Sequence, residues 1–412
     1  MTAASEFDPI FVHASPRSGS TYFFNVLRRN ESLLCFNEAI IDVFSYYGKG
    51  DIARFKAAQK WNINHHFLAR DDFDEFIEAW DEVMHLYPHF PSFQDYLPPN
   101  GILSPQLSVY LSALMNYART RNKRPVLCEI LSRGRVGALR NAFGGFHVAQ
   151  YRDPLSQFGS FIRPVIEVGE WGFLTFPLRE MGISGAHPLY RLVPEAWRVP
   201  SLPWPAEDRA QRWASAVEYI AAVASPRPET IEKVFRWHLF SWVLSNLAAI
   251  SYSDFALDID KTHDDAGYRK TVIENLALRI GKAPDFGDIR KFDRYYEFES
   301  FDVVAVCNQV DSTIRDTLKD GRLDKALHTL APQAPLVTAA AAVELLLAKI
   351  SVSLAAMKAD ADRRYMRAAE WKSVAEKNRR IWFNPSIRRL LQNVYPITAP
   401  LVRAARRVGL WN

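Results

Sequence analysis

The stretch Arg17-Ser18-Gly19-Ser20-Thr21 is the part of the chain best suited to chemistry. It stands between an apolar, β-branched run, Pro9-Ile10-Phe11-Val12-His13-Ala14, and Tyr22 to Arg29, whose apolar spacing is helical. A turn of small residues between a strand and a helix start exposes successive backbone N–H groups. The helix N-terminus adds about half a positive charge at the same spot. Together these make a cradle for phosphate. Two carboxylates end other strand-like runs. Glu38 follows Leu33-Leu34-Cys35-Phe36-Asn37, and Glu129 lies near the end of Arg124 to Ile130. A carboxylate held at a strand end can act as a general base.

The spacing separates this loop from the familiar nucleotide-triphosphate loop, G-x-x-x-x-G-K-[ST], whose lysine reaches the terminal phosphates. Here Ser20 follows Gly19, and the cation stands two places earlier as Arg17. That departure argues against an ordinary ATPase. The pattern Pro16-Arg17-Ser18-Gly19-Ser20-Thr21 after a strand resembles the 5′-phosphosulfate loop of sulfotransferases that use 3′-phosphoadenosine-5′-phosphosulfate (PAPS). A second motif follows in the expected order. Arg152-Asp153-Pro154-Leu155-Ser156-Gln157-Phe158-Gly159-Ser160 closes the run Phe146 to Tyr151 and enters a helix. It looks like the 3′-phosphate site of the same family, in which an arginine at the strand end and a serine eight residues later hold that phosphate. Arginine suits the task as a permanently charged, bidentate fork.

The resemblance covers about residues 8 to 285, and the two motifs carry nearly all of it. It implies PAPS as sulfuryl donor, with no metal, held by Arg17, Ser18, Gly19, Ser20, Thr21, Arg152 and Ser160. Arg17 and the cradle N–H groups would offset the charge of the transferring group. Many members have lysine at the Arg17 position, whereas protein-tyrosine sulfotransferases carry arginine. Glu38 stands where carboxylate-using members, among them bacterial carbohydrate-type enzymes, have a glutamate, so the resemblance makes it the base. Glu129 competes for the role; its bland alternative is an ion pair with a neighbour such as Arg133. The implied reaction moves the sulfuryl group to an acceptor hydroxyl, with a carbohydrate or glycoconjugate first in line. Lipid-linked glycan, protein tyrosine and small phenol stay open. The competing readings are a P-loop nucleotide or small-molecule kinase and an inactive interaction module on the same fold.

Elements that could position these residues are readable along the chain. Strand-like runs at 9–14, 33–37, 124–130, 146–151 and 255–260 alternate with helical spacing, which predicts an α/β fold with a parallel, doubly wound sheet. The last of these runs ends Leu257-Asp258-Ile259-Asp260, where the family usually has Tyr-Glu-Asp-Leu. Helices are expected at Asp71 to Tyr87, Pro105 to Ala118, Arg133 to Phe143, Glu207 to Val223, Glu229 to Ile250 and Asp264 to Gly281. Another starts at Pro154 and is expected to end at Pro164. Six of the eleven tryptophans fall between Trp171 and Trp242. Trp171, Trp197 and Trp204 lie in loop-like sequence and are candidates for an acceptor wall. Trp213, Trp237 and Trp242 read as helix core.

Composition bounds the rest. The 412 residues carry a net charge of +5 without long basic blocks in the core region, which suits an anionic cofactor and does not call for nucleic acid. Cys35, Cys128 and Cys307 are too scattered for a metal or disulfide framework, and His65-His66 has no partner at ligand spacing. The N-terminal residues have no basic, apolar leader, and the best apolar run, Leu336 to Leu347, is interrupted by Glu344. A cytoplasmic protein is the expectation. Residues 1–331 read as the α/β domain with helical insertions, and 332–412 as a helical extension. Within it, 335–380 is amphipathic enough to dock on the domain or to pair two copies. Residues 379–412 hold seven arginines and no acid, interleaved with apolar residues, which suits an anionic membrane surface or a docked tail.

Overall fold

The structure, a computed structural model, describes residues 7–58, 73–88, 91, 96–168, 174–199, 228–289, 295–296 and 301–377. Two compact units divide the chain, Met1–Ser351 and Val352–Asn412. In the first, five strands form one sheet: β1 (Ile10–His13), β2 (Leu33–Asn37), β3 (Arg124–Glu129), β4 (Phe146–Tyr151) and β5 (Phe255–Asp258). Their order is β2-β3-β1-β4-β5 and every pairing is parallel. The first four strands are buried throughout, which is why they read as continuous apolar runs rather than alternating ones.

The helices that frame the site are α1 (Ser20–Arg28), α2 (Asp74–Val83), α3 (Pro105–Arg119), α4 (Val136–Phe143), α5 (Pro154–Val168), α6 (Pro228–Tyr252), α7 (Ile259–Asp264), α8 (Ala266–Ile280), α9 (Val303–Lys319) and α10 (Ala339–Lys377). Alternate strand residues face opposite layers. Ile10, Val12, Cys35, Val126 and Val148 pack with α1 and α8, through Phe23, Phe24, Leu27, Val272 and Leu276. Phe11, Leu34, Phe36 and Leu127 pack with α2, α3 and α4. The sheet is doubly wound, as its alternating pattern predicts.

Strand order decides where a ligand can sit. From β1 the chain crosses to β2 on one side, and from β4 it moves to β5 on the other. β1 and β4 are neighbours, so the loops that leave them part company and open a crevice at their carboxyl ends. The Arg17 loop and Arg152 follow these two strands. The close approach that pairs β1 with β4 depends on Gly145. Its φ is +87°, and a Cβ there would lie 2.3 Å from the Pro9 carbonyl oxygen, where Phe146 N–H already donates at 2.9 Å.

Several elements differ from their sequence-based expectation. Pro164 does not end α5, which continues to Val168. Proline removes only the hydrogen bond to the carbonyl four residues earlier, that of Ser160, and the apolar face of the helix carries it on. The fifth strand stops at Asp258, because the Asp258 side chain caps α7 by accepting from Lys261 N–H at 3.1 Å. α7 takes up Ile259 and Asp260, the expected end of that strand, and the helix expected from Asp264 to Gly281 is α8. The sequence between Arg133 and Arg135 is a 3₁₀ turn rather than the start of α4. The expected helix 207–223, Trp171, Trp204, Trp213, His65, His66 and the basic tail 379–412 lie outside the described residues.

α10 contains a stretch, Ala339–Arg367, that is long and apolar enough to cross a membrane by length and composition. Its first part is a core helix: Ala342, Val343, Leu346, Leu347 and Ile350 are buried in the first unit. Leu336 and Val337 N–H donate to the Ser251 carbonyl just before it, and Arg315 of α9 pairs with its Glu344. In the second unit, Val352, Tyr365 and Met366 are exposed.

Candidate functional site

The loop after β1 is closed by Ser18, whose N–H and hydroxyl both donate to the Ser15 carbonyl, at 3.2 and 2.6 Å. Arg17 has φ +63° and Gly19 φ +83°. Left-handed backbone at a non-glycine residue is strained and persists only where neighbours hold it. Gly19 meets that geometry without cost and stands at the N-cap of α1, which has no side-chain cap and no acid in its first turn. The helix start therefore keeps its positive pole for an outside anion.

What holds the loop is the second motif. Gln157 Nε2 donates to the Pro16 carbonyl at 2.5 Å and to Ser15 Oγ at 2.6 Å. Arg152 Nη1 donates to the Arg17 carbonyl at 3.0 Å, and Gln150 Nε2 to the Ser18 carbonyl at 2.8 Å. Three successive carbonyls are thus drawn toward β4 and α5. The loop is thereby held at the positive pole of α1, with the Ser18 N–H taken by the Ser15 carbonyl.

Arg152 is itself fixed from several directions. Besides the Arg17 carbonyl, its Nη2 donates to Ser156 Oγ at 3.1 Å, and its Nε lies 3.7 Å from Asp260 Oδ1. Asp260 Oδ2 accepts the Asp153 N–H at 2.6 Å, and Asp153 Oδ1 caps α5 by accepting from Leu155 and Ser156 N–H at 2.9 Å each. Burial pushes the Asp153 carboxyl above its ordinary range, while Tyr295 donates to its other oxygen at 2.7 Å. Lys349 of α10 completes the group, 2.8 Å from Asp258 Oδ1 and 3.2 Å from Asp260 Oδ2.

Ser160, half-buried one turn beyond Ser156, donates to the Ser156 carbonyl at 3.2 Å. The hydroxyl that touches Arg152 is therefore Ser156. Both serines, four residues apart, lie on one face of α5. Gln150, Ser156, Gln157, Asp260 and Lys349 were not singled out by sequence reasoning. Gln150 gave a signal, as one of two polar residues, with His147, in a strand that is buried throughout.

Glu38 follows β2, buried and at φ +59°, with its N–H donating to the Cys128 carbonyl at 2.6 Å. β2 is two strands from β1, so the Glu38 backbone starts roughly 10 Å from the end of β1. Glu129 does not pair with Arg133. Its Oε2 accepts from Ile40 N–H at 3.0 Å and its carboxylate also accepts from Ala39 N–H, so it props the turn that Glu38 opens. Burial pushes the Glu129 carboxyl up to about 8 against those donors and Arg135. Arg133 instead meets Glu180 at 2.9 Å, both of them buried.

A small polar cavity, with room for about one water, opens beside Ser15 and Pro16 and is lined by Arg133, Gln157, His238 and Trp242. His238 Nε2 faces the Pro154 carbonyl at 2.9 Å, so it carries the proton and Nδ1 holds a lone pair. Burial lowers this imidazole to about 4, keeping it neutral. Trp197, expected in an acceptor wall, is engaged in packing, with its ring against Phe240 and under the Arg236 guanidinium. Trp237 and Trp242 are core residues of α6.

No family model, curated protein or solved structure matches this chain.

Proposed function

We propose that the protein is a PAPS-dependent sulfotransferase, moving the sulfuryl group of PAPS to an acceptor hydroxyl. The observation that carries the reading is the joining of the two phosphate motifs. Side chains of Gln150, Arg152 and Gln157 hold the carbonyls of Ser18, Arg17 and Pro16, so the loop after β1 and the arginine after β4 form one site at the switch point. A donor with a 5′-phosphosulfate and a 3′-phosphate has two anionic ends, and this crevice offers two matching seats.

In this reading Arg17, Ser18, Gly19, Ser20 and Thr21 take the 5′-phosphosulfate. Arg152, with the Ser156 and Ser160 hydroxyls along α5, takes the 3′-phosphate. The acceptor oxygen attacks sulfur in line while the bridging S–O bond breaks. Glu38 receives the acceptor's proton, and 3′-phosphoadenosine-5′-phosphate leaves with the bridging electrons. The cradle N–H groups and Arg17 stabilise the charge that gathers on the leaving oxygen. Glu129 is better suited to support than to proton transfer, because it is buried under the turn that Glu38 opens and its Oε2 holds the Ile40 N–H of that turn. The polar cavity beside Ser15 offers Arg133 as donor and His238 Nδ1 as acceptor, a pairing that suits a hydroxyl.

Incubation with sulfur-labelled PAPS and a panel of glycans, tyrosyl peptides and phenols tests the reaction. Label transferred to one class supports it and names the acceptor. Label that passes to none, with γ-labelled ATP used instead, would replace the reading with a kinase.

A further inference from the structure

Lys349 lies outside both phosphate motifs, on a helix that the sequence assigns to an extension. Yet it belongs to the first unit and its ammonium is buried at the edge of the Arg152 site. The charges there can be counted. Asp258 and Asp260 face Lys349 at 2.8 and 3.2 Å, and Asp260 stands 3.7 Å from Arg152. Lys349, Asp258, Asp260 and Arg152 are each only about a tenth exposed, so water screens them little. Asp153, also buried, adds a third carboxyl that burial pushes toward its neutral form. Without a second cation the two carboxylates would outnumber the Arg152 guanidinium and weaken its attraction for an incoming phosphate. With Lys349 present, the four charges balance.

We propose that Lys349 is a positioning residue for the 3′-phosphate: it neutralises Asp258 and Asp260 so that the Arg152 guanidinium remains an effective phosphate seat. This rests on reading Arg152 as the 3′-phosphate contact. Lys349 also holds the Asp260 carboxylate, which keeps the Asp153 N–H and hence the start of α5 in place.

Calorimetry of the full chain with 3′-phosphoadenosine-5′-phosphate and with ADP tests it in four proteins. Wild type should prefer the 3′-phosphorylated ligand; equal affinities in wild type would remove the cofactor reading itself. Lys349→Met should weaken that ligand about tenfold to a hundredfold, the size of one unit charge roughly 6–12 Å away at an effective dielectric of about 20, and should leave ADP nearly unchanged. Asp258→Asn, which keeps the cap on α7, should tighten 3′-phosphoadenosine-5′-phosphate by several-fold. The double variant Lys349→Met/Asp258→Asn should return to within about threefold of wild type. If wild type discriminates but the Lys349→Met protein, folded, binds the 3′-phosphorylated ligand normally, the inference fails. It fails also if the double variant stays as weak as the single, since shape and not charge would then be at work. Should Lys349→Met not fold, Asp258→Asn decides: unchanged or weaker binding overturns the proposal.

Discussion

Arg152 Nη1 donates to the carbonyl oxygen of Arg17 at 3.0 Å, across 135 residues of chain. One guanidinium thereby fixes a strained, left-handed residue of the loop after β1 while standing at the mouth of the crevice after β4. Neither residue could hold its place on a bare loop. Their bond joins the loop after β1 to the chain leaving β4.

Gln157 does similar work for the first half of the loop, and its removal gives a first prediction. Gln157→Leu leaves the Pro16 carbonyl and Ser15 hydroxyl without their donor. A buried polar group stripped of its partner costs about 1–3 kcal/mol. Denaturant unfolding should register that loss, and affinity for 3′-phosphoadenosine-5′-phosphate should drop several-fold as the loop loosens. Unchanged affinity in a destabilised protein would mean that the carbonyl clamp is structural alone.

The two carboxylates should separate cleanly. Glu38→Gln keeps shape and hydrogen bonding but cannot take a proton, so turnover should fall by about 10²–10⁴, with cofactor binding preserved. Glu129→Gln can still accept from Ile40 N–H, and turnover should stay within about threefold. Since burial raises the Glu129 carboxyl from its ordinary 4.5 to about 8, its stabilising contribution is full below pH 4.5 and is lost as pH rises through 8. Glu129→Gln should accordingly flatten the decline in unfolding free energy between about pH 4.5 and 8. A large loss of turnover in Glu129→Gln, with Glu38→Gln near normal, would exchange their roles.

A buried chain of imidazoles on the sheet gives a prediction about acid. His147 Nε2 faces the Gly144 carbonyl at 2.8 Å, so it bears the proton, and its Nδ1 accepts from His13 Nε2 at 2.9 Å. His13 Nδ1 in turn accepts from the Ser132 hydroxyl at 2.7 Å. Both rings are neutral in this chain, and burial lowers His147 from 6.5 to about 4 and His13 in the same direction. Their stabilising contribution is present above pH 6.5 and lost as pH falls through 4. Nitrogen NMR of histidine-labelled protein should find both rings neutral and Nε2-protonated at pH 6. A charged imidazolium at either position at that pH would contradict the arrangement.

How much of this was legible in the sequence varies by residue. The five strands were readable because a parallel sheet buries both faces and leaves apolar runs. Arg17, Gly19 and Arg152 stood out because their types and spacing match phosphate-binding patterns, and the structure brings them together at the ends of neighbouring strands. Ser156 was hidden behind Ser160, since both fall on one face of α5 and spacing alone does not choose between them. Glu129 could not be placed, because its partners are backbone N–H groups of Ala39 and Ile40, brought close by the pairing of β2 with β3. Lys349 was invisible for the same reason: it meets Asp258 and Asp260 only once the first part of α10 is buried in the first unit. The end of β5 was misjudged because Asp258 serves as a cap, and a cap looks like a strand residue until the helix beyond it is seen.

The central claim is that the Arg152 crevice is built for a 3′-phosphate beside a cradle for the 5′ end. The most direct measurement is titration calorimetry of wild type and Arg152→Lys with 3′-phosphoadenosine-5′-phosphate and ADP. Charged hydrogen bonds are worth about 1.5–3 kcal/mol each, so wild type should favour the 3′-phosphorylated ligand by about tenfold to a hundredfold. Lysine is a point charge that cannot hold the Arg17 carbonyl, Ser156 and a phosphate together, so Arg152→Lys should lose most of that preference. Equal affinity of wild type for the two ligands, or a preference that survives in Arg152→Lys, would contradict the account.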